Sequence, residues 1–348
     1  MRNRPELSLW TAPRGSSALA RSIERRTSKS LERTVWIFES RLACERPPRE
    51  IAGCLNADST NRAWIWDDLW RFVRSRFGAK APELLSPAAA SAALDIAIDR
   101  ELRAGRLTFV SRVIDLPGFR RGLARRVERW TRAEVDPIEL FRSPNTETAE
   151  LGSIYAAYRE ILVELAAVDE AALEAWASRA IANPTDSRLD DIHTLSIMEP
   201  ACLSKSHLRA IRALASQQIS IHVILSWNPE PMLAESFGPA LKMRRTLARE
   251  GFVEFDHAAE TGDRLSADRS AALRAIETET FRSDARNRPG ADRTDGVAIM
   301  GAPRGEGQAL VTARRTRDLI DQGVDPKDIL IVFRRWDDQA RILIETLR

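Results

Sequence analysis

Cysteine is scarce in this chain. Cys44, Cys54 and Cys202 are the only three in 348 residues. They are odd in number, scattered and outside any CxxC pairing, which argues against a disulfide framework or a cysteine metal site and suits reduced thiols in a cytoplasmic protein. Long apolar runs are missing as well. No stretch approaches the ~20 apolar residues that a membrane-spanning helix needs. The basic start Met1-Arg2-Asn3-Arg4-Pro5 leads into no apolar segment of a secretory signal. No membrane partner is therefore expected. The four histidines, His193, His207, His222 and His257, have no ligand spacing with cysteines or carboxylates, so no metal site is expected. His193 and His222 alternate within strand-like runs and read as hydrogen-bonded structural residues.

What is present describes an ordinary globular protein, with 44% hydrophobic and 30% charged residues. Its length suffices for two domains with cores of their own. The net charge of +3 hides an asymmetry: residues 1–150 carry 27 Lys/Arg against 20 Asp/Glu, and the remainder 26 against 30. Almost all the positive charge is arginine, the better fork for phosphate. A basic first half points mildly to nucleic acid and equally suits a solvated helical surface.

Hydrophobic periodicity sets out the chain. Strands are expected at residues 7–12, 34–38, 193–198, 219–225, 297–300 and 329–333, the last being the fully apolar Ile329-Leu330-Ile331-Val332-Phe333. Between the second and third, the pattern is helical. Trp66, Leu69, Trp70 and Val73 share a face and read as core, as do Leu94, Ile98 and Leu102. A helix starting near Pro117 carries Phe119, Leu123, Val127 and Trp130 on its apolar face and arginines elsewhere. Asp67-Asp68 and Asp190-Asp191 read as caps or surface pairs. The β–α–β spacing implies a parallel sheet covered on both faces.

This order is that of a superfamily 1 helicase motor, and the chain resembles the AddB (RexB) family, the AddAB helicase–nuclease subunits with a degenerate UvrD-like helicase region and a C-terminal PD-(D/E)XK nuclease. Three segments carry the resemblance: Pro117-Gly118-Phe119 through Val135-Asp136-Pro137, Leu151-Gly152-Ser153-Ile154-Tyr155 through Tyr158 and Asp169, and Gly305-Glu306 through Arg335. It covers nearly the whole chain. It implies an α/β fold: a P-loop NTPase-like (RecA-like) parallel sheet with a large helical insertion, followed by the start of a second RecA-like domain. The expected divisions are residues 1–60 and 186–260 for the first motor half, 61–185 for the insertion, 261–294 for a linker or surface helix, and 295–348 for the second half. A second half that opens at Gly301 and reaches only Leu347 suggests an N-terminal fragment.

The nucleotide-site positions can be tested one by one. A working P-loop needs GxxxxGK[ST], whose lysine reaches the β/γ-phosphates and whose hydroxyl holds Mg²⁺. The matching segment keeps Arg14, Gly15, Ser16 and Ser17, but Ala18 and Leu19 stand where lysine and hydroxyl belong. Arg14 and Arg21 are no simple substitutes, since a guanidinium is larger and fixed in its fork. The metal-binding Asp of the DExx strand is replaced by Met198, a poor Mg²⁺ ligand, leaving Glu199 without a water to position. The γ-phosphate sensor segment reads Ser226-Trp227-Asn228-Pro229-Glu230, lacking both the Asp and the Gln of its pattern. Motif IV survives at Arg335, Gln339, Arg341, Leu343, Glu345 and Leu347. In active relatives its first arginine approaches the γ-phosphate; the other reading pairs Arg335 and Arg341 with Asp337, Asp338 or Glu345. Hence Arg14, Gly15, Ser16, Ser17, Glu199 and Arg335 form a degenerate nucleotide site, and no catalytic residue is assigned.

The candidate DNA-binding residues are Arg120, Arg121, Arg125, Arg126, Arg129 and Trp130. They suit a helix that tracks a phosphate backbone, or one whose arginine stems cover its own apolar flank. The resemblance implies a helicase-like scaffold of double-strand-break repair and homologous recombination, silent toward ATP. Its partners would be DNA and an AddA-like helicase–nuclease subunit. Nuclease chemistry, with Mg²⁺ and in some relatives an iron–sulfur cluster, would belong beyond Arg348, and this chain itself would need no cofactor. Two alternatives stay open: an active ATPase with a non-standard P-loop, and an interaction module that makes no DNA contact.

Overall fold

The computed structural model describes residues 5–12, 34–45, 47, 51–52, 55, 62–183, 189, 191–227, 237–256, 270, 272–273, 275–276, 296–303, 305–333 and 338–347. They fall into two compact units, one within Met1–Ala267 and the other within Asp268–Thr280 and Ala285–Arg348. In chain order, the first unit holds β1 (Leu7–Ala12), β2 (Thr34–Phe38), α1 (Arg41–Glu45), β3 (Arg62–Ile65), α2 (Trp66–Phe77), β4 (Glu83–Leu84), α3 (Pro87–Arg103), α4 (Pro117–Arg132) and α5 (Pro137–Phe141). These are followed by α6 (Thr146–Glu164), β5 (Ala167–Val168), α7 (Glu170–Ala182), β6 (Thr194–Met198), α8 (Lys205–Ser216), β7 (Ser220–Ser226), α9 (Gly238–Arg249) and β8 (Val253–Asp256).

Six strands form one sheet in the order β3-β2-β6-β7-β1-β8, and every pair is parallel. The protein is thus α/β, with the strands expected at 7–12, 34–38, 193–198 and 219–225 all found in this sheet, the last two shifted to Thr194–Met198 and Ser220–Ser226. Parallel strands need both faces covered, and alternate residues achieve it. Leu9, Val35, Ile37, Leu195, Ile197, Ile221 and Val223 join one core with Trp66, Leu69, Trp70 and Val73 of α2. Trp10, Trp36, Phe38, Met198 and Ile224 form a smaller cluster with Ile51. Asp68 caps α2 by accepting from the Ile65 N–H at 3.0 Å, the capping role read for Asp67-Asp68.

The helical insertion has a separate core, narrower than residues 61–185, because β3, α2 and much of α7 belong to the sheet layers. It joins Leu94, Ala97 and Ile98 of α3, Leu123 and Val127 of α4, and Leu151, Ile154, Tyr155, Tyr158 and Ile161 of α6. Helix α5 crosses α6 so closely that a Cβ on Gly152 would lie 2.7 Å from Leu140 Cβ and 2.8 Å from the Phe141 nitrogen. Backbone cannot yield as a flexible side chain can. Gly152→Ala is therefore expected to lower stability by about 1–3 kcal/mol through overpacking, read by urea unfolding. Gly122→Ala on α4, with nothing within 4 Å of its added Cβ, is the neutral or stabilising control. Equal losses in both variants would overturn the close-crossing explanation.

The second unit contains α10 (Glu306–Asp321) and α11 (Asp338–Leu347). It corrects two expectations: residues 297–300 and 329–333 form no strand. A strand requires a ladder of backbone hydrogen bonds to a neighbouring strand, and neither segment takes part in the sheets of the described residues. Ile299 is 98% exposed, Leu330 75% and Val332 78%, so these apolar residues face outward, while Ile329, Ile331 and Phe333 are half-buried. Arg341 lies 3.7 Å from Asp338, one of the pairings foreseen for it. No helix among the described residues is long and apolar enough to cross a membrane.

Candidate functional site

Parallel strands bring all their carboxyl ends to one edge, where open α/β sheets bind ligands. β1 sits between β7 and β8 although β2 follows it in sequence. The register sets Ala12 beside Ser226 and Met198 beside Ile224. The segments matched to the P-loop, the DExx strand and the γ-phosphate sensor therefore start from one edge.

At this edge the described residues do not supply the oxygen ligands that magnesium wants. Met198 is buried within the cluster of Trp10, Trp36, Phe38 and Ile224, where a thioether offers nothing to a hard cation. Glu199 leaves the strand in the left-handed region, at φ 42°, and its N–H bonds the Ile224 carbonyl at 2.8 Å. Its carboxylate accepts a short hydrogen bond from the Ser226 hydroxyl. The structure thus joins the two degenerate positions to each other. No group of three or more His, Cys, Asp or Glu among the described residues could hold a metal ion. Arg14, Gly15, Ser16, Ser17 and Arg335 lie outside the described residues.

Residues that sequence reasoning missed fill the other side of the edge. Thr11 at the end of β1 donates to Glu254 at 3.1 Å, and Arg244 of α9 forks the same carboxylate with two 2.9 Å hydrogen bonds. The Arg244 guanidinium also lies 4.3 Å from the centroid of the Trp227 ring. This cation is thus matched by a carboxylate and an aromatic face. Deeper in the sheet, Ser8 Oγ and His222 Nδ1 are 2.5 Å apart, and Trp10 Nε1 donates to Ser8 Oγ at 2.9 Å. The Ser8 hydroxyl thus links the Trp10 indole to the His222 ring. Ser8 is fully buried and His222 half-buried, so this hydrogen bond ties β1 to β7 within the sheet. His193 instead is exposed at the start of β6.

The six candidate DNA-binding residues divide. Arg120 bonds Asp95 at 2.6 Å and Asp115 at 3.3 Å, and Arg126 lies 3.4 Å from Glu147. Trp130 packs on the insertion core, tilted against Tyr155 at 5.7 Å. Arg121, Arg125 and Arg129 are exposed, and their i, i+4, i+8 spacing places them on one ridge of α4. Arg125 and Arg129 have no ion-pair partner among the described residues. Elsewhere, burial works against the Asp68 carboxylate, but Arg41 and the Ile65 N–H hold it below the usual range.

No family model matches the chain, and the search of curated proteins finds no match to it.

Proposed function

We propose that this chain is a helicase-like scaffold that does not hydrolyse ATP and that holds DNA, as a degenerate motor region of an AddB-type subunit in double-strand-break repair would. The observation that carries this reading is the edge of the sheet: Met198 is sealed in an apolar cluster and the Glu199 carboxylate is taken by Ser226. Support for a RecA-like sheet comes from the strand order, with β1 inserted between β7 and β8. The arginine ridge on α4 supports contact with DNA, and a motor partner of the AddA type would supply movement. Reduced cysteines fit a cytoplasmic setting.

Magnesium-ATP is expected to bind no tighter than millimolar, and purified protein to show no ATPase activity. Calorimetric binding in the micromolar range would instead favour the active ATPase. For DNA, the ridge predicts salt-dependent binding of a single strand. Replacing Arg121, Arg125 and Arg129 together with glutamine removes three phosphate contacts, which lowers the slope of log K against log salt by about 2. Paired Arg120 and Arg126 favour the competing view of an interaction module. That view wins if the triple variant binds with the original slope, or if no DNA binding is measured at low salt.

A further inference from the structure

Inside the helical insertion, a cavity of about 300 Å³ opens between the start of α3, α4 and the start of α7. It has room for about ten water-sized groups. Leu85, Leu94 and Val127 give it apolar walls, and the buried Tyr158–Asp169 pair also lines it. Four charged side chains line it as well or belong to that pair: Arg125, Glu128, Asp169 and Glu170. Two of them have ion-pair partners, Glu128 with Arg132 at 3.3 Å and Glu170 with Arg71 at 2.5 Å. The other two do not. Asp169 is buried and accepts hydrogen bonds from the Tyr158 hydroxyl, 2.7 Å, and the Ala172 N–H, 2.6 Å, but no cation pairs with it among the described residues. A carboxylate has about four acceptor sites, so two remain open. Arg125 is exposed and has no anionic partner there.

We propose that this cavity binds a small zwitterion with an apolar body, of the size of a free aliphatic amino acid. The ammonium group meets Asp169, the carboxylate meets Arg125, and the side chain lies against Leu85, Leu94 and Val127. A cation alone would leave Arg125 unmatched, and an anion alone would leave Asp169 unmatched. One ligand carrying both charges satisfies both ends, in a pocket otherwise lined as small-molecule sites are.

The test is calorimetric titration of the full chain with L-leucine, with isoamylamine, which lacks only the carboxylate, and with 4-methylpentanoate, which lacks only the amine. L-leucine is expected to bind at least about tenfold more tightly than either. Arg125→Ala should reduce leucine to the level of the amine and leave the amine unchanged. Ala124→Trp, an exposed α4 position that lines the cavity, should block all three while the circular dichroism of the fold persists. Arg121→Gln, on the ridge but not in the cavity wall, should leave leucine binding unchanged. No leucine binding up to about 10 mM, equal affinities for the three probes, or leucine binding that survives Ala124→Trp or is lost with Arg121→Gln would each overturn the proposal.

Discussion

Replacing Glu150 with alanine is expected to lower the unfolding free energy by about 3–5 kcal/mol. This residue sits in α6 at 6% exposure, and its carboxylate closes the loop ahead of α4. It accepts from the N–H groups of Thr108 at 3.0 Å, Phe109 at 2.9 Å and Val110 at 2.8 Å, and from the Thr108 hydroxyl at 2.7 Å. Alanine strips three consecutive backbone donors of their acceptor, at roughly 1–3 kcal/mol for each that stays dry. Glu150→Gln retains one oxygen and should fall between the two. Burial raises the carboxyl's pKa, but the backbone donors outweigh it and hold it below the ordinary glutamate value. A depressed folded pKa contributes stability above the unfolded value of about 4.3 and loses it as pH falls further. Chemical unfolding at pH 7 and pH 3 checks both points. A loss no greater than that of the surface substitution Glu147→Ala would sink the explanation.

The sheet was largely legible because its central strands are apolar on both faces. Thr34–Phe38 and Thr194–Met198 are buried at every position, so composition alone marked them. The edge strands were not, since Arg62–Ile65 and Val253–Asp256 are four residues long and carry charge or exposure that erases the pattern. Ile329–Phe333 shows the opposite error. Its residues favour a strand, but pairing is a tertiary property and no propensity supplies a neighbour.

The candidate site divides in the same way. That Met198 could not hold magnesium follows from its side chain alone. That Glu199 would bond Ser226 depends on β6 and β7 being adjacent, which spacing only suggests. The Thr11–Glu254–Arg244–Trp227 arrangement joins β1, β8, α9 and the end of β7, and no local spacing announces it. The arginines of α4 looked alike in sequence, yet Arg120 is tied to Asp95 on α3 whereas Arg125 and Arg129 have no such partner among the described residues. Ion pairs between helices are fixed by packing, so sequence could nominate the ridge but not sort it.

Acidification from pH 6.5 to 4.5 is expected to cost about 2–3 kcal/mol of stability through His207 alone, at about 1.4 kcal/mol for each pH unit. The ring lies against Trp66 at 4.1 Å and Trp70 at 5.7 Å, both stacked. Its Nδ1 accepts the Ser204 N–H at 3.2 Å, which assigns the proton of the neutral ring to Nε2. That Nε2 is buried without a hydrogen bond, 3.7 Å from Glu174 Oε1. Burial, and then Arg132, push the imidazole down to about 3. Folding therefore requires a neutral ring: its contribution is full above the unfolded pKa of about 6.5 and is lost as pH falls toward 3. Glu174 acts in the opposite sense. Burial raises its pKa despite Ser204 and Arg132, with Asp67 adding to the rise, so the folded state takes up its proton early and part of the loss is offset. The two are separable by substitution. His207→Phe preserves a stacked ring and should flatten the decline between pH 6.5 and 4.5, whereas Glu174→Gln should steepen it. Because α7 and α8 meet at this pair, linking the insertion to the sheet, the same variants report on that junction. Unchanged slopes in His207→Phe would show that the ring titrates normally in the folded protein and would reject the buried, neutral assignment.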